Sequence, residues 1–185
     1  DIVPNHANPR HWWHNDLPDS SWYNQWEEFT RTNYQVAVVT DPYASKADRE
    51  QFEKGWFDTN MTDLNYNNPL LFDYVLQSYI YWAELTGLDG FRVDTYPYNN
   101  LDAASRLMAG IRNEYPKMNL VGECWVKSFP EMAYYQTGNS NKDGFDSNLP
   151  SVMDFMLKDW LEMAFVEEEA WNKGMIRFYN HFAQD

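Results

Sequence analysis

From residue 68 onward the hydrophobic pattern switches repeatedly between a helical and a strand period, and this switching limits the folds open to the chain. Asn68 suits a helix N-cap and Pro69 the first helical position. Leu70, Leu71, Tyr74, Val75, Ser78, Tyr79, Trp82 and Leu85 then recur at helical spacing, and Gly87 can close the helix. Residues 88–94 read as a strand, 101–115 as a helix, 119–125 as a second strand and 129–137 as a helix. A short strand at 152–155 and a mostly helical stretch over 157–184 complete the chain. Strand–helix units recurring about every 30 residues are the mark of βαβ crossovers and a parallel sheet. Polar, reactive residues fall at the C-terminal ends of successive strands: Asn5 and His6, then Asp94, Glu123 and Asp154. A (β/α)8 barrel places its active site there. A doubly wound open sheet is the alternative, but no glycine-rich phosphate loop follows any strand.

Residues 7–66 interrupt this order. They are rich in Trp, Asn, Asp, Tyr and Pro, with clusters His11-Trp12-Trp13-His14 and Trp22-Tyr23-Asn24-Gln25-Trp26. So long a stretch without regular period reads as a loop-built subdomain inserted after the first strand. The expected division is therefore 1–6 with 67–185 as one unit and 7–66 as the insertion.

Asp and Glu number 28 against 14 Lys and Arg, for a net charge of −14. That field repels a nucleic-acid backbone, and no basic patch offsets it. The run Glu167-Glu168-Glu169 reads as a solvated helix start. No apolar run is long enough to cross a membrane. The single cysteine, Cys124, excludes an internal disulfide framework and a cysteine-rich metal site.

Two segments carry the chemistry. In Gly90-Phe91-Arg92-Val93-Asp94, residues two apart on a strand share a face, so Arg92 and Asp94 point the same way. A guanidinium beside a carboxylate holds it ionised, as a nucleophile requires; the alternative is a structural Arg–Asp pair in the barrel interior. In Val121-Gly122-Glu123-Cys124-Trp125, Glu123 shares a face with Val121 and Trp125. A carboxyl among apolar and aromatic groups can stay protonated near neutral pH and serve as a general acid; the alternative is a Glu that merely ends a strand. One carboxylate held ionised and another held protonated, one βαβ unit apart, is the pairing used in glycoside hydrolysis. The many Trp and Tyr side chains offer flat faces for sugar rings, or pack the insertion.

The ordered set DIVPNH (1–6), MTDLN (61–65), GFRVD (90–94) and GECW (122–125) resembles the sequence regions of the α-amylase family, glycoside hydrolase family 13. MTDLN is similar to the region that marks the neopullulanase and cyclomaltodextrinase branch, with Thr62 where Pro is common. The continuation Asp94-Thr95-Tyr96-Pro97-Tyr98 is similar to the neopullulanases of starch-using Bacteroidetes. It departs from the Lys-His that follows the amylase nucleophile, so those subsite contacts do not carry over.

The resemblance implies a fold and a set of roles. The fold is a partial (β/α)8 TIM barrel of the α/β class, from the end of strand 3 to helix 6, with the inserted subdomain after strand 3. Asp94 would be the nucleophile, Glu123 the general acid/base and Arg92 the residue orienting the nucleophile. His6 would bond the sugar at the cleavage subsite, with Asp1 and Asn5 around it and Trp125 lining the subsite. Asp63 and Asn65 would support the site from the insertion.

The activity implied is retaining hydrolysis of α-1,4, and in this branch α-1,6, glucosidic bonds in α-glucan oligosaccharides, in a periplasmic or extracellular enzyme whose parent is a homodimer. A glucanotransferase, or a non-catalytic glycan-binding or partner domain, are the alternatives. No cofactor is required; calcium is bound by many relatives, and the Asp/Asn-rich insertion could supply oxygen ligands. The family also uses a third carboxylate, an Asp directly after a His on a later strand. The tail Asn180-His181…Asp185 has the wrong spacing and helical character, so the third Asp is expected beyond residue 185. A polypeptide lacking it, with open sheet edges, is expected to be inactive alone and either poorly soluble or dimeric.

Overall fold

The computed structural model describes residues 1–184. In chain order it contains β1 (His6–Ala7), α1 (Lys46–Lys54), β2 (Thr62–Asp63), α2 (Pro69–Thr86), β3 (Gly90–Val93), α3 (Leu101–Glu114), β4 (Asn119–Gly122), α4 (Phe129–Tyr134), β5 (Ser151–Val152), α5 (Phe155–Val166) and α6 (Ile176–Phe182). β3, β4 and β5 form a parallel sheet in that order. Ile2 extends it on the far side of β3, donating its N–H to the Arg92 carbonyl and accepting from Asp94 N–H, both at 2.9 Å. Order in space follows order in sequence, with none of the reversal that defines a doubly wound sheet. The described sheet is open, so its closure into a barrel is not part of what these residues form.

Local chemistry explains the elements. Asn68 caps α2 by accepting from the Leu70 and Leu71 N–H groups, and Gly87 ends it with φ 66°, a left-handed conformation that suits a residue without Cβ. α3 is capped by Asn100, whose side-chain Oδ1 accepts from Ala103 N–H. It buries Ala103, Ala104, Leu107, Met108 and Ile111 against the sheet. Phe91 and Val93 alternate with Arg92 on β3 and are buried on the helix side. Gly122 is required by close approach, since a Cβ there would overlap the Leu149 side chain.

The insertion is tied down at its base. β1 and β2 pair antiparallel, His6 opposite Asp63 and Ala7 opposite Thr62. Trp13, Trp22 and Tyr74 of α2 form one aromatic cluster, with centroids 4.9–5.6 Å apart. Through it the insertion joins the same hydrophobic core as the sheet and helices.

Several expectations are corrected. The insertion is not wholly irregular: α1 lies within it, started by Ser45, whose hydroxyl accepts from Asp48 N–H. Only Phe52 of α1 is buried, so the helix left no hydrophobic period to read. The strand expected at 152–155 is Ser151–Val152, because Asp154 instead caps α5 through Leu157 N–H at 2.7 Å. The helical stretch over 157–184 is broken at 167–175, where Gly174 has φ 69°. Glu167 therefore ends α5 rather than starting a helix. The unfavourable acid at a helix C-terminus is offset by Arg177, whose Nε and Nη2 reach Glu167 at 2.5 and 2.7 Å.

Candidate active site

The C-terminal ends of β3 and β4 bring Arg92, Asp94 and Glu123 together. Arg92 stands on the face of β3 opposite Phe91 and Val93, as period two requires. Its Nη1 donates to Asp94 Oδ1 at 2.8 Å and to both Asp1 oxygens at 2.8 and 3.0 Å. Its Nη2 lies 2.5 Å from Glu123 Oε1. One guanidinium thus holds both candidate carboxyls. Asp94 Oδ2 accepts no hydrogen bond among the described residues.

The environment of Glu123 overturns one expectation. Burial raises its proton affinity, but Trp125 Nε1–H on Oε1 (2.8 Å), Thr95 N–H on Oε2 (3.0 Å) and the Arg92 guanidinium outweigh it. The net shift is downward, so this carboxyl is held ionised rather than protonated. Trp125 does share the Glu123 face. The residue is 60% exposed and its ring packs at 4.7 Å on Phe155, leaving an aromatic surface at the edge of the site.

His6 faces the same site from β1. Burial lowers its proton affinity against the opposing pull of Asp94. Asn5 donates its Nδ2 to Asp63 Oδ2 (3.1 Å) and to the Tyr98 carbonyl (2.8 Å), so its Oδ1 is the acceptor facing His6 Nδ1 at 3.0 Å. The His6 proton therefore sits on Nδ1, and Nε2 is left as an acceptor for a hydroxyl donor. The ring stacks on Phe57 at 5.6 Å.

Asp63 lies behind His6, 2% exposed, with Asn24 Nδ2 on its other oxygen at 2.7 Å. Burial pushes its carboxyl well above the usual carboxylate range, more than the Asn24 and Asn5 amides pull it down. Asn65 does not reach the site; its amide donates to the Ser21 carbonyl at 2.9 Å, within the insertion.

Asp154, expected at the strand ends with the others, is turned away. It caps α5 through Oδ1, and its Oδ2 pairs with Nε2 of buried His181 at 2.8 Å, so the tail histidine pairs there and not at the site. Asp185 lies outside the described residues. Both Asp63 oxygens already receive amide N–H groups. No three His, Cys, Asp or Glu side chains converge among the described residues. Sequence reasoning missed Thr95, whose backbone N–H touches Glu123, and Phe57 beneath His6. A backbone donor leaves no side-chain signal.

No protein-family model matches the chain. It is 25% identical to α-amylase 3 of Dictyoglomus thermophilum over 188 aligned positions, 96% of this chain and 34% of that protein. It is 31% identical to a trehalose synthase of a Pimelobacter species over 108 positions, 53% of this chain and 19% of that protein. The chain thus spans about a third or less of the length of these curated relatives. Its fold matches a crystal structure of an Anoxybacillus α-amylase with a TM-score of 0.73 at 20% identity, covering 100% of this chain and 35% of that one.

Proposed function

We propose, from the premise that this chain is a stretch of an α-amylase-family (glycoside hydrolase family 13) protein, as its relatives by sequence and neighbours by fold support, that it carries the nucleophile and the general acid/base of a retaining α-glucan hydrolase. The observation that carries this reading is the single Arg92 guanidinium binding Asp94 and Glu123 at the ends of neighbouring parallel strands. Two carboxyls bridged by one guanidinium are compatible with a retaining mechanism, which uses a carboxyl separation of about 5 Å.

In this reading Asp94 attacks the anomeric carbon and the bond to the leaving oxygen breaks. Glu123 gives that oxygen its proton. Water then attacks the glycosyl ester, loses a proton to Glu123 and frees Asp94. Glu123 must gain proton affinity before the first step; a bound sugar supplies this by excluding water from its open side. His6 Nε2 accepts from a sugar hydroxyl, Trp125 offers a stacking face, and Asn5 and Asp63 hold the His6 tautomer. The two carboxyls do the bond chemistry and no step runs through a metal.

The finer parts of the reading rest on sequence resemblance: a neopullulanase-like preference for α-1,4 and α-1,6 bonds, a periplasmic or extracellular location, a homodimeric parent, and a third Asp on a strand beyond these residues. The test is Asp94→Asn and Glu123→Gln in the full-length protein, assayed on maltooligosaccharides and on a dinitrophenyl α-glucoside. Both variants should lose at least 10³-fold on the natural substrate. Glu123→Gln should recover on the activated substrate, whose leaving group needs no proton. Wild-type rates in Asp94→Asn would end the hydrolase reading.

A second reading, a glucanotransferase of the same chemistry, is favoured by the trehalose synthase relative and by the exposed Trp125 face, which suits an acceptor sugar. Adding a free acceptor sugar and following transfer against hydrolysis products separates the two.

A further inference from the structure

The chain turns sharply after Asp94, and the turn is made by a residue poorly suited to it. Thr95 has φ 48° and ψ 37°, in the left-handed region that β-branched residues avoid. Its hydroxyl does not compensate, since Oγ1 is buried with no hydrogen-bond partner among the described residues. The backbone does. Thr95 N–H donates to Glu123 Oε2 at 3.0 Å, and the next amide, Tyr96 N–H, donates to the Glu123 carbonyl at 3.2 Å. The turn is also held from behind. Asn99, 3% exposed, donates its Nδ2 to the Thr95 and Tyr96 carbonyls at 3.1 and 3.0 Å. Tyr96 is fully buried, its hydroxyl on the Ser147 carbonyl at 2.8 Å. Backbone strain persists only where surroundings over-determine it, and it clusters at functional sites.

We propose that Thr95 is a positioning residue whose strained backbone N–H fixes the orientation and proton affinity of Glu123, and that Asn99 is the clamp that keeps it there. The proposal rests on the reading of Glu123 as general acid/base. Several charged or titratable groups lie around Glu123: Arg92 and Asp94 from the end of β3, Tyr98 from the turn that follows, with His6 set against Asp94, while Cys124 is buried on the opposite side of its segment beside Gly122. Arg92 and Trp125 both serve Oε1, while Thr95 N–H is the one donor on Oε2 among the described residues. Thr95 also follows Asp94 directly. A shift of the Asp94 main chain as its carboxyl takes on a sugar therefore moves the donor on the acid. The two carboxyls are linked through backbone as well as through Arg92.

The test uses the full-length protein and the pH dependence of kcat/KM. Replacing the Asp94–Thr95 amide by an ester, through a threonine-like α-hydroxy acid, keeps the side chain and replaces the N–H donor with an ester oxygen. A donor to the ionised carboxyl is lost, so the alkaline limb, set by the acid, should move up by roughly one pH unit and kcat should fall about tenfold. Asn99→Ala should move the limb the same way by less. Thr95→Gly should raise the unfolding midpoint, because glycine adopts this conformation freely, while lowering kcat. If the ester protein does not fold, Asn99→Ala and Thr95→Gly carry the test. A turn with a merely structural role changes stability and leaves the limb in place; that result, with Asp94→Asn and Glu123→Gln inactive, overturns the positioning role alone. If Asp94→Asn or Glu123→Gln keeps wild-type rates, the catalytic reading beneath it fails instead.

Discussion

Replacing Arg92 with Met keeps the length of the side chain and removes its charge and its fork. Two carboxyls then face each other without a cation between them. Arg92 Nη2 lies 2.5 Å from Glu123 Oε1 and Nη1 lies 2.8 Å from Asp94 Oδ1, with side chains 31%, 12% and 22% exposed for Arg92, Glu123 and Asp94. A charge pair about 4 Å apart at an effective dielectric near 20 is worth about 4 kcal/mol. Partial exposure and salt reduce this to about 1–2 kcal/mol, or roughly one pH unit on the acid. Glu123 should therefore bind its proton more tightly, and the alkaline limb of kcat/KM should move up by that amount. The rate should fall roughly 10²–10³-fold, as for loss of a positioned charge at a reacting centre.

Stability should respond with a defined sign. The Glu123 carboxyl sits below its ordinary value in the folded chain, so its contribution is present above the unfolded value and lost as pH falls through the folded one. The wild type should lose stability over that acidic window, and Arg92→Met should show a flatter profile there because it has lost most of the effect already. Steady-state kinetics from pH 4 to 9 and denaturant melts over the same range read both. An Arg92→Met protein with kcat/KM within threefold of wild type and an unmoved limb would refute the reasoning.

Other perturbations probe single contacts. Trp125→Phe keeps a ring on Phe155 but deletes the Nε1–H on Glu123 Oε1, so the alkaline limb should rise by less than in Arg92→Met, read from the same kinetics. Gly122→Ala forces a methyl into the Leu149 side chain and should cost about 1–3 kcal/mol in urea unfolding. Asp63→Ala leaves the Asn5 and Asn24 amides without their buried acceptor; the expected loss is about 1–3 kcal/mol, with weaker substrate binding through His6, checked by melting and KM.

What the sequence made legible followed from periodicity. Period two placed Arg92 beside Asp94 and Glu123 beside Trp125, and those contacts are present. α2 was legible from Asn68-Pro69 to Gly87 because cap, first turn and stop all carry local chemistry. α1 was not, because one buried side chain, Phe52, gives no period. The protonation of Glu123 was misjudged for a different reason. Strand spacing says which face a carboxyl takes, whereas its proton affinity depends on donors brought from elsewhere: Thr95 N–H from the turn after β3 and the Arg92 fork. Thr95 itself has no sequence signal, since its left-handed backbone is imposed by Asn99 and buried Tyr96. Asp154 looked reactive by its place after a strand and proved to be a helix cap, a use equally open to any Asp at a strand–helix junction.

The clasp of β1 on β2 has an entropic cost. Pairing His6 with Asp63 closes residues 8–61 into one loop, and closing so long a loop costs roughly 3–4 kcal/mol of chain entropy before any packing offsets it. Arg92, Asp94 and Glu123, by contrast, come from neighbouring parallel strands joined by one helix, a crossover about half as long and so cheaper to close by about 0.6 kcal/mol. Bringing His6 up to the Arg92, Asp94 and Glu123 cluster therefore depends on the longer of the two closures, and shortening the 8–61 loop should favour the assembled cluster by a few tenths of a kcal/mol.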